Sequence, residues 1–200
     1  KGLDQTIFFL VPSAIGMIVF RKEMIGLFFK RGMFTGYSVE ITAYPLMLYS
    51  IGLVFYGAAI IITRAFYAHQ DTATPVKVGL ISIGTNALFD VILMKFMGHG
   101  GIALSTSIVG LQNLVMLVWL FKKKFGLIQI EHVMKSFLRV FLVGCFWGII
   151  MEAIRRILIP YGTAIIVVAG TVSGILLYFI FAIILKFPEL AGIRMLKWKM

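Results

Sequence analysis

Residues 76–96 read VKVGLISIGTNALFDVILMKF and residues 101–121 read GIALSTSIVGLQNLVMLVWLF, with only Met97-Gly98-His99-Gly100 between them. Each run matches the ~20 apolar residues that an α-helix needs to cross a hydrocarbon core about 30 Å thick. The runs are continuous. A membrane-spanning β-strand would instead alternate over about 10 positions, so helices are the spanning solution that fits. Four more apolar runs lie outward of this pair, at residues 6–20, 43–63, 137–154 and 161–185. The chain therefore reads as an all-α protein, a polytopic transmembrane helical bundle of six spans. The 6–20 run holds Pro12 and Gly16 and is short, so its helix is expected to begin near Leu3 or to tilt.

Composition points the same way. Of 200 residues 60% are hydrophobic and only 14% charged, with mean hydropathy +1.01, whereas soluble domains are about a quarter charged. The formal net charge is +11. Such a balance often marks a nucleic-acid binder, but here the basic residues sit between apolar runs and no nucleic-acid motif is present. They act as membrane anchors, and no nucleic acid is expected as a partner. Cys145 is the only cysteine, so it forms no internal disulfide and reads as a small hydrophobe. The start at Lys1-Gly2-Leu3-Asp4, without Met, carries the expectation of a longer parent chain.

The connectors differ in character. Residues 23–34 mix Met24, Ile25, Leu27, Phe28 and Phe29 with Lys30 and Arg31, the pattern of a short amphipathic helix in the interface, ended by Gly32. Residues 65–75 read as a polar loop in which Pro75 opens the next helix at its first position and Thr74 or Asp71 caps it. Residues 98–101 form a tight turn. Lys122-Lys123-Lys124 opens a basic loop to about Ser136, and the tail from Pro188 is basic, with Trp198 as an interfacial anchor. Six spans put both ends on one side. That side holds the larger share of the 19 Lys and Arg, which places both termini in the cytoplasm.

Polar residues inside the spans carry the functional information, because a central carboxylate costs about 2.5–3.5 kcal/mol to insert. Asn86 and Asp90 are four apart and share one helix face. The short turn makes the next helix antiparallel, which brings Asp90 and Thr106 to matching depth. Hydroxyl, amide and carboxylate oxygens form a hard ligand set suited to Na⁺. On the residues alone three roles stay open: an ion site, a hydrogen-bonded packing pair, and a proton carrier. Gln112 and Asn113 sit mid-span about 100° apart, suited to helix packing or to lining a cavity. Glu152 is followed by Arg155 and Arg156, either an ion-pair cluster or a contact to lipid headgroup phosphates. Ser105 and Ser107 read as small residues that allow close helix approach. No set of residues has metal-cluster, hydrolase or nucleotide-binding spacing, so no enzyme is expected.

Four stretches carry a resemblance. They are Leu10-Val11-Pro12-Ser13-Ala14, then Phe29-Lys30-Arg31-Gly32-Met33-Phe34-Thr35, then the run AFYAHQDTATPV at residues 65–76, and the run GHGGIALSTS at residues 98–107. In this order they resemble the signature segments of the MurJ/MviN lipid II flippases of the MOP exporter superfamily, best over residues 5–125. The resemblance implies two six-helix lobes around a central cavity and two extra C-terminal helices. On that map this chain corresponds to the ninth through fourteenth helices. Residues 1–125 would be part of the second transporter lobe, with four spans. Residues 126–200 would be the C-terminal helix pair and a basic cytoplasmic tail.

The implied activity is movement of lipid-linked peptidoglycan precursor (lipid II) across the bacterial inner membrane by alternating access. The extra pair would form a groove for the polyprenyl tail, and membrane lipids and the N-terminal helices of the same chain would be the other partners. The resemblance also implies a Na⁺ site made by Asn86, Asp90, Thr106 and the carbonyl of Ile102, with one more carboxylate from the seventh helix; no other cofactor is implied. Two further readings compete: an exporter of drugs or polysaccharide-linked lipids within the same superfamily, and a membrane scaffold that transports nothing.

Overall fold

The computed structural model describes residues 2–126 and 130–189. They form seven helices: α1 (Gly2–Val19), α2 (Arg21–Phe29), α3 (Gly36–Ala68), α4 (Ala73–Met97), α5 (His99–Phe125), α6 (Ile130–Leu158) and α7 (Thr163–Ile184). A single 3-10 turn, Ile159–Tyr161, links the last two. Six of the seven, all but α2, are long and apolar enough to cross a membrane. No strand occurs among the described residues. The protein is a multi-pass helical membrane protein, as a chain whose backbone must bond to itself in lipid requires.

Helices run further than the apolar runs. With 33 residues, α3 is about 50 Å long and outreaches the hydrocarbon layer. It ends at Ala68, so residues 65–68, expected in a loop, are its last turn. The α3–α4 connection is correspondingly short, and Pro75 stands at the third position of α4 instead of the first. The missing amide costs nothing there, because all first-turn N–H groups lack helical partners. Lys122, Lys123 and Lys124 likewise lie in the last turn of α5, which closes at Gly126, and α6 begins at Ile130. The expected basic loop is therefore mostly helix. Side chains with long aliphatic stems are good helix formers, and cations suit a C-terminal turn. α2 ends at Phe29, ahead of Gly32. Lys1 and the tail from residue 190, with Trp198, lie outside the described residues.

The packing order is set by which helices touch. α5 lies between α3 and α4; α1 packs on both α3 and α6; α2 and α6 hold α7. The largest core joins Phe8 and Val11 of α1 to Val140, Trp147 and Met151 of α6 and to Ile166 and Tyr178 of α7. Trp147 Nε1 donates to the carbonyl of Gly174 at 3.0 Å, and the Tyr178 hydroxyl to that of Phe8 at 2.9 Å. The first span thus shares its core with the last two. A second core, with Phe66, Val78, Leu117 and Phe121, ties α3, α4 and α5 together.

Backbone proximity explains the tightness of the α4–α5 hairpin. Gly98 turns the chain at φ +56°, a left-handed value that favours glycine. A Cβ on Gly101 would lie 2.2 Å from the carbonyl oxygen of Leu93. α3 and α5 also approach closely, and the buried Ser107 hydroxyl donates to the Leu48 carbonyl at 2.6 Å. Small residues let backbones meet where lipid offers no hydrophobic drive to pack. The outer face of α4, with Leu80, Ile83, Leu88 and Val91, is exposed.

Candidate functional site

The α4–α5 hairpin carries a row of polar side chains. Asn86 Nδ2 donates to Asp90 Oδ2 at 3.1 Å, as their shared face requires. Across the hairpin the partner of Asn86 is Ser105, whose hydroxyl donates to Asn86 Oδ1 and to its backbone carbonyl, both at 3.3 Å. One and a half turns toward the start of α4 from Asp90, Gln112 Nε2 donates to Thr85 Oγ1 at 3.1 Å. The hydroxyl of Thr106 turns back on its own helix and donates to the carbonyl of Ile102 at 3.0 Å. Thr106 and Ile102 therefore present their two oxygens as one unit, and Thr106 makes no hydrogen bond to Asp90. Asn113 is half-buried and makes no side-chain hydrogen bond among the described residues. Thr85 and Ser105 were missed as polar partners. The spacing of Ser105 and Gln112, seven apart on one face, is the signal that marks them.

Asp90 has one oxygen left over. Its Oδ1 is buried and accepts no hydrogen bond. A buried carboxylate oxygen without a partner costs free energy in an apolar medium. The residue types fit a hard cation in this respect, since Asp90, Asn86, Thr106 and the Ile102 carbonyl all carry oxygen.

Two ion-pair clusters sit at helix ends. Arg155 of α6 donates from Nη1 to Glu23 Oε1 of α2, and from Nε and Nη2 to both oxygens of Glu152, all at 2.7 Å. Its guanidinium is thus bound within the protein and joins α2 to α6 instead of reaching headgroups. Arg156 contacts Glu152 at 2.9 Å and remains exposed. At the opposite end Asp71 caps α4: Oδ1 accepts the Thr74 amide at 3.0 Å and Oδ2 the Thr74 hydroxyl at 2.7 Å. Lys124 Nζ from the end of α5 donates to both Asp71 Oδ2 and Thr74 Oγ1. The Lys124 ammonium, and then the Thr74 hydroxyl and amide, hold the Asp71 carboxyl down at about 2. His69 stacks on Phe125 at 4.3 Å beside it. The AFYAHQDTATPV segment is therefore a fastener between α3, α4 and α5. The pair Ser136–Glu189, hydrogen-bonded at 2.7 Å and buried, had no local signal in the sequence.

A small apolar cavity of about 260 Å³ lies between α1, α6 and α7, lined by Phe9, Gly16, Trp147, Gly174 and Tyr178 among others.

The family model described as lipid II flippase MurJ matches residues 1–171, which takes in the whole α4–α5 hairpin and all of α6. The chain belongs to the lipid II flippase MurJ family. A probable lipid II flippase MurJ of Thermotoga maritima is 30% identical over 192 residues, 96% of this chain and 38% of the relative. One of Vibrio cholerae is 34% identical over 116 residues, 58% of this chain and 22% of the relative. Among solved structures, lipid II flippase MurJ in an inward closed conformation superimposes with TM-score 0.75 at 31% identity, covering 92% of this chain and 37% of that one. The chain spans well under half the length of the family members it matches.

Proposed function

We propose that this chain is the C-terminal part of a lipid II flippase of the bacterial inner membrane, a transporter and not an enzyme, with both ends of the segment cytoplasmic. The family match across residues 1–171 carries this reading. The likeness in fold to a flippase structure over 92% of the chain supports it. Lipid II joins a charged pyrophosphate-sugar head to a long apolar tail. The cavity between α1, α6 and α7 is lined almost wholly by apolar groups and offers the tail a path along the C-terminal pair. The headgroup chamber would lie between this segment and the N-terminal helices of the longer chain.

In this reading Asp90 gives the protein a conformational control. Na⁺ held by Asp90, Asn86, Thr106 and the Ile102 carbonyl would neutralise the buried carboxylate and pin α4 to α5. The unpartnered Oδ1 is the observation that favours it. The Asn86–Asp90 hydrogen bond favours a second reading, in which the pair only packs the hairpin.

Complementation separates them. Cells depleted of their own flippase receive the full-length parent gene, wild type or Asp90→Ala, at matched membrane expression. Rescue by wild type alone, with ²³Na-dependent stabilisation lost in the variant, is the expected result. Rescue by both leaves the flippase and reduces Asp90 to packing. A well-expressed wild type that fails to rescue points to another substrate of the exporter superfamily.

A further inference from the structure

A second, larger groove lies elsewhere in the bundle. It has a volume of about 570 Å³ and is walled by α1, α3, α5 and α6, within the range of about 300–1,000 Å³ typical of small-molecule sites. It exists because α6 packs on α1 while α5 packs on α3, which leaves α5 and α6 splayed. Ile7, Phe55, Val115, Val133 and Phe137 are among the lining side chains, and the one charged residue in the wall is Lys122. Val115, Trp119 and Met134 on its rim are exposed, so the groove opens sideways toward the bilayer.

The three consecutive lysines at its mouth are not equivalent. Lys124 is committed to Asp71 and Thr74. Lys123 lies over the Trp119 ring, 5.3 Å from its centroid, a cation–π contact. Lys122 is exposed and pairs with no acid among the described residues. An apolar slot of this volume, capped by a Trp and an unpaired ammonium, is complementary to a hydrocarbon chain with an anionic head. We propose that this groove holds one acyl chain of an anionic phospholipid, with its phosphate on Lys122. Basic pockets between spanning helices bind anionic headgroups in this way, and aromatic rims sit at headgroup depth. The lipid would fill the gap between α5 and α6 and so link the hairpin unit to the C-terminal pair. Under the proposed orientation it belongs to the cytoplasmic leaflet. The site makes no use of Asn86 or Asp90, so it stands or falls separately from the ion reading and from flipping itself.

The test uses the full-length parent protein, purified in mild detergent from bacterial membranes. Retained lipid is identified by native mass spectrometry, and then phosphatidylglycerol or phosphatidylcholine of equal chain length is added back. Wild type is expected to retain one phosphatidylglycerol with roughly five-fold preference over phosphatidylcholine, the factor a single interfacial lysine supplies. Lys122→Ala is expected to abolish the preference, Val115→Trp to block both lipids, and Lys77→Ala, exposed on α4 away from the groove, to change neither. Equal preference in wild type and Lys122→Ala would overturn the proposal. So would unchanged lipid retention in Val115→Trp, recovery of a polyprenyl-linked lipid in place of phospholipid, or a wild type that retains no lipid because other helices of the full chain fill the groove.

Discussion

Replacing Gly101 by alanine adds a single methyl group, and the structure sets its cost. The new Cβ would stand 2.2 Å from the Leu93 carbonyl oxygen, 2.3 Å from its carbonyl carbon and 2.7 Å from the Met94 nitrogen. All three atoms are α4 backbone, so no rotamer change relieves the clash. Restoring the 3.4 Å of ordinary contact requires α4 and α5 to separate by about 1.2 Å at this point. The hydroxyl of Ser105, one turn along α5, already reaches Asn86 at 3.3 Å and would lose both bonds. Overpacking of this kind costs about 1–3 kcal/mol, and each lost interhelical hydrogen bond in a membrane protein adds about 0.6 kcal/mol. The expected loss for Gly101→Ala is therefore about 2–4 kcal/mol. Gly79→Ala is the matched comparison: it lies in the interior of α4 with nothing within 4 Å of its added Cβ, and it gains up to about 1 kcal/mol of helix propensity. Reversible unfolding of the full-length protein in mixed micelles, followed by helix ellipticity, measures both. If Gly101→Ala unfolds at the same denaturant concentration as Gly79→Ala, the close approach of the two helices is wrong, and so is the geometry derived for Asn86 and Ser105.

Arg155→Ala should destabilise the protein by about 2–3 kcal/mol, because charge-assisted bonds are lost and Glu23 stays half-buried without its partner; Arg156→Ala, at an exposed pair, should cost under about 0.5 kcal/mol. A thermal melt that ranks them equally removes the clamp between α2 and α6. The Asp71 carboxyl, held at about 2 against 3.8 for the free group, has a depressed folded value. Its contribution is complete above about pH 4 and fades as pH falls toward 2. The stability difference between wild type and Asp71→Asn, measured by melting across that interval, should shrink toward zero; a constant difference would show that Lys124 does not bind the ionised carboxylate. Ser107→Ala, which strips the buried bond to Leu48, should cost about 1 kcal/mol, read in the same micelle unfolding assay.

The six spans were legible because the bilayer makes a one-dimensional demand. About 20 apolar residues in a row must be a helix there, and all six runs, including the hairpin turned at Gly98, occur where the residues put them. Helix ends were less legible, as at residues 65–68 and 122–136, since polar residues such as Lys122 continue a helix into the interface as readily as they form a loop. Asn86 and Asp90 were paired correctly because i, i+4 spacing is a property of one helix and needs no neighbour. Depth along the hairpin was also computable, which is why Thr106 was placed beside Asp90.

Depth leaves open how each helix is rotated about its axis. That rotation is decided by packing, and it puts Ser105 against Asn86 while Thr106 turns to Ile102. Arg155 shows the same limit. Its partner Glu152 lies three residues away and could be read from the chain, whereas Glu23 lies 132 residues away and only the contact of α2 with the bundle brings it near. The groove beside Lys122 is the clearest case, for it is a space left where α5 and α6 follow different neighbours. Residue type and period determine which segments cross the membrane and which residues share a face. The close approach of whole helices decides which faces meet and where they fail to.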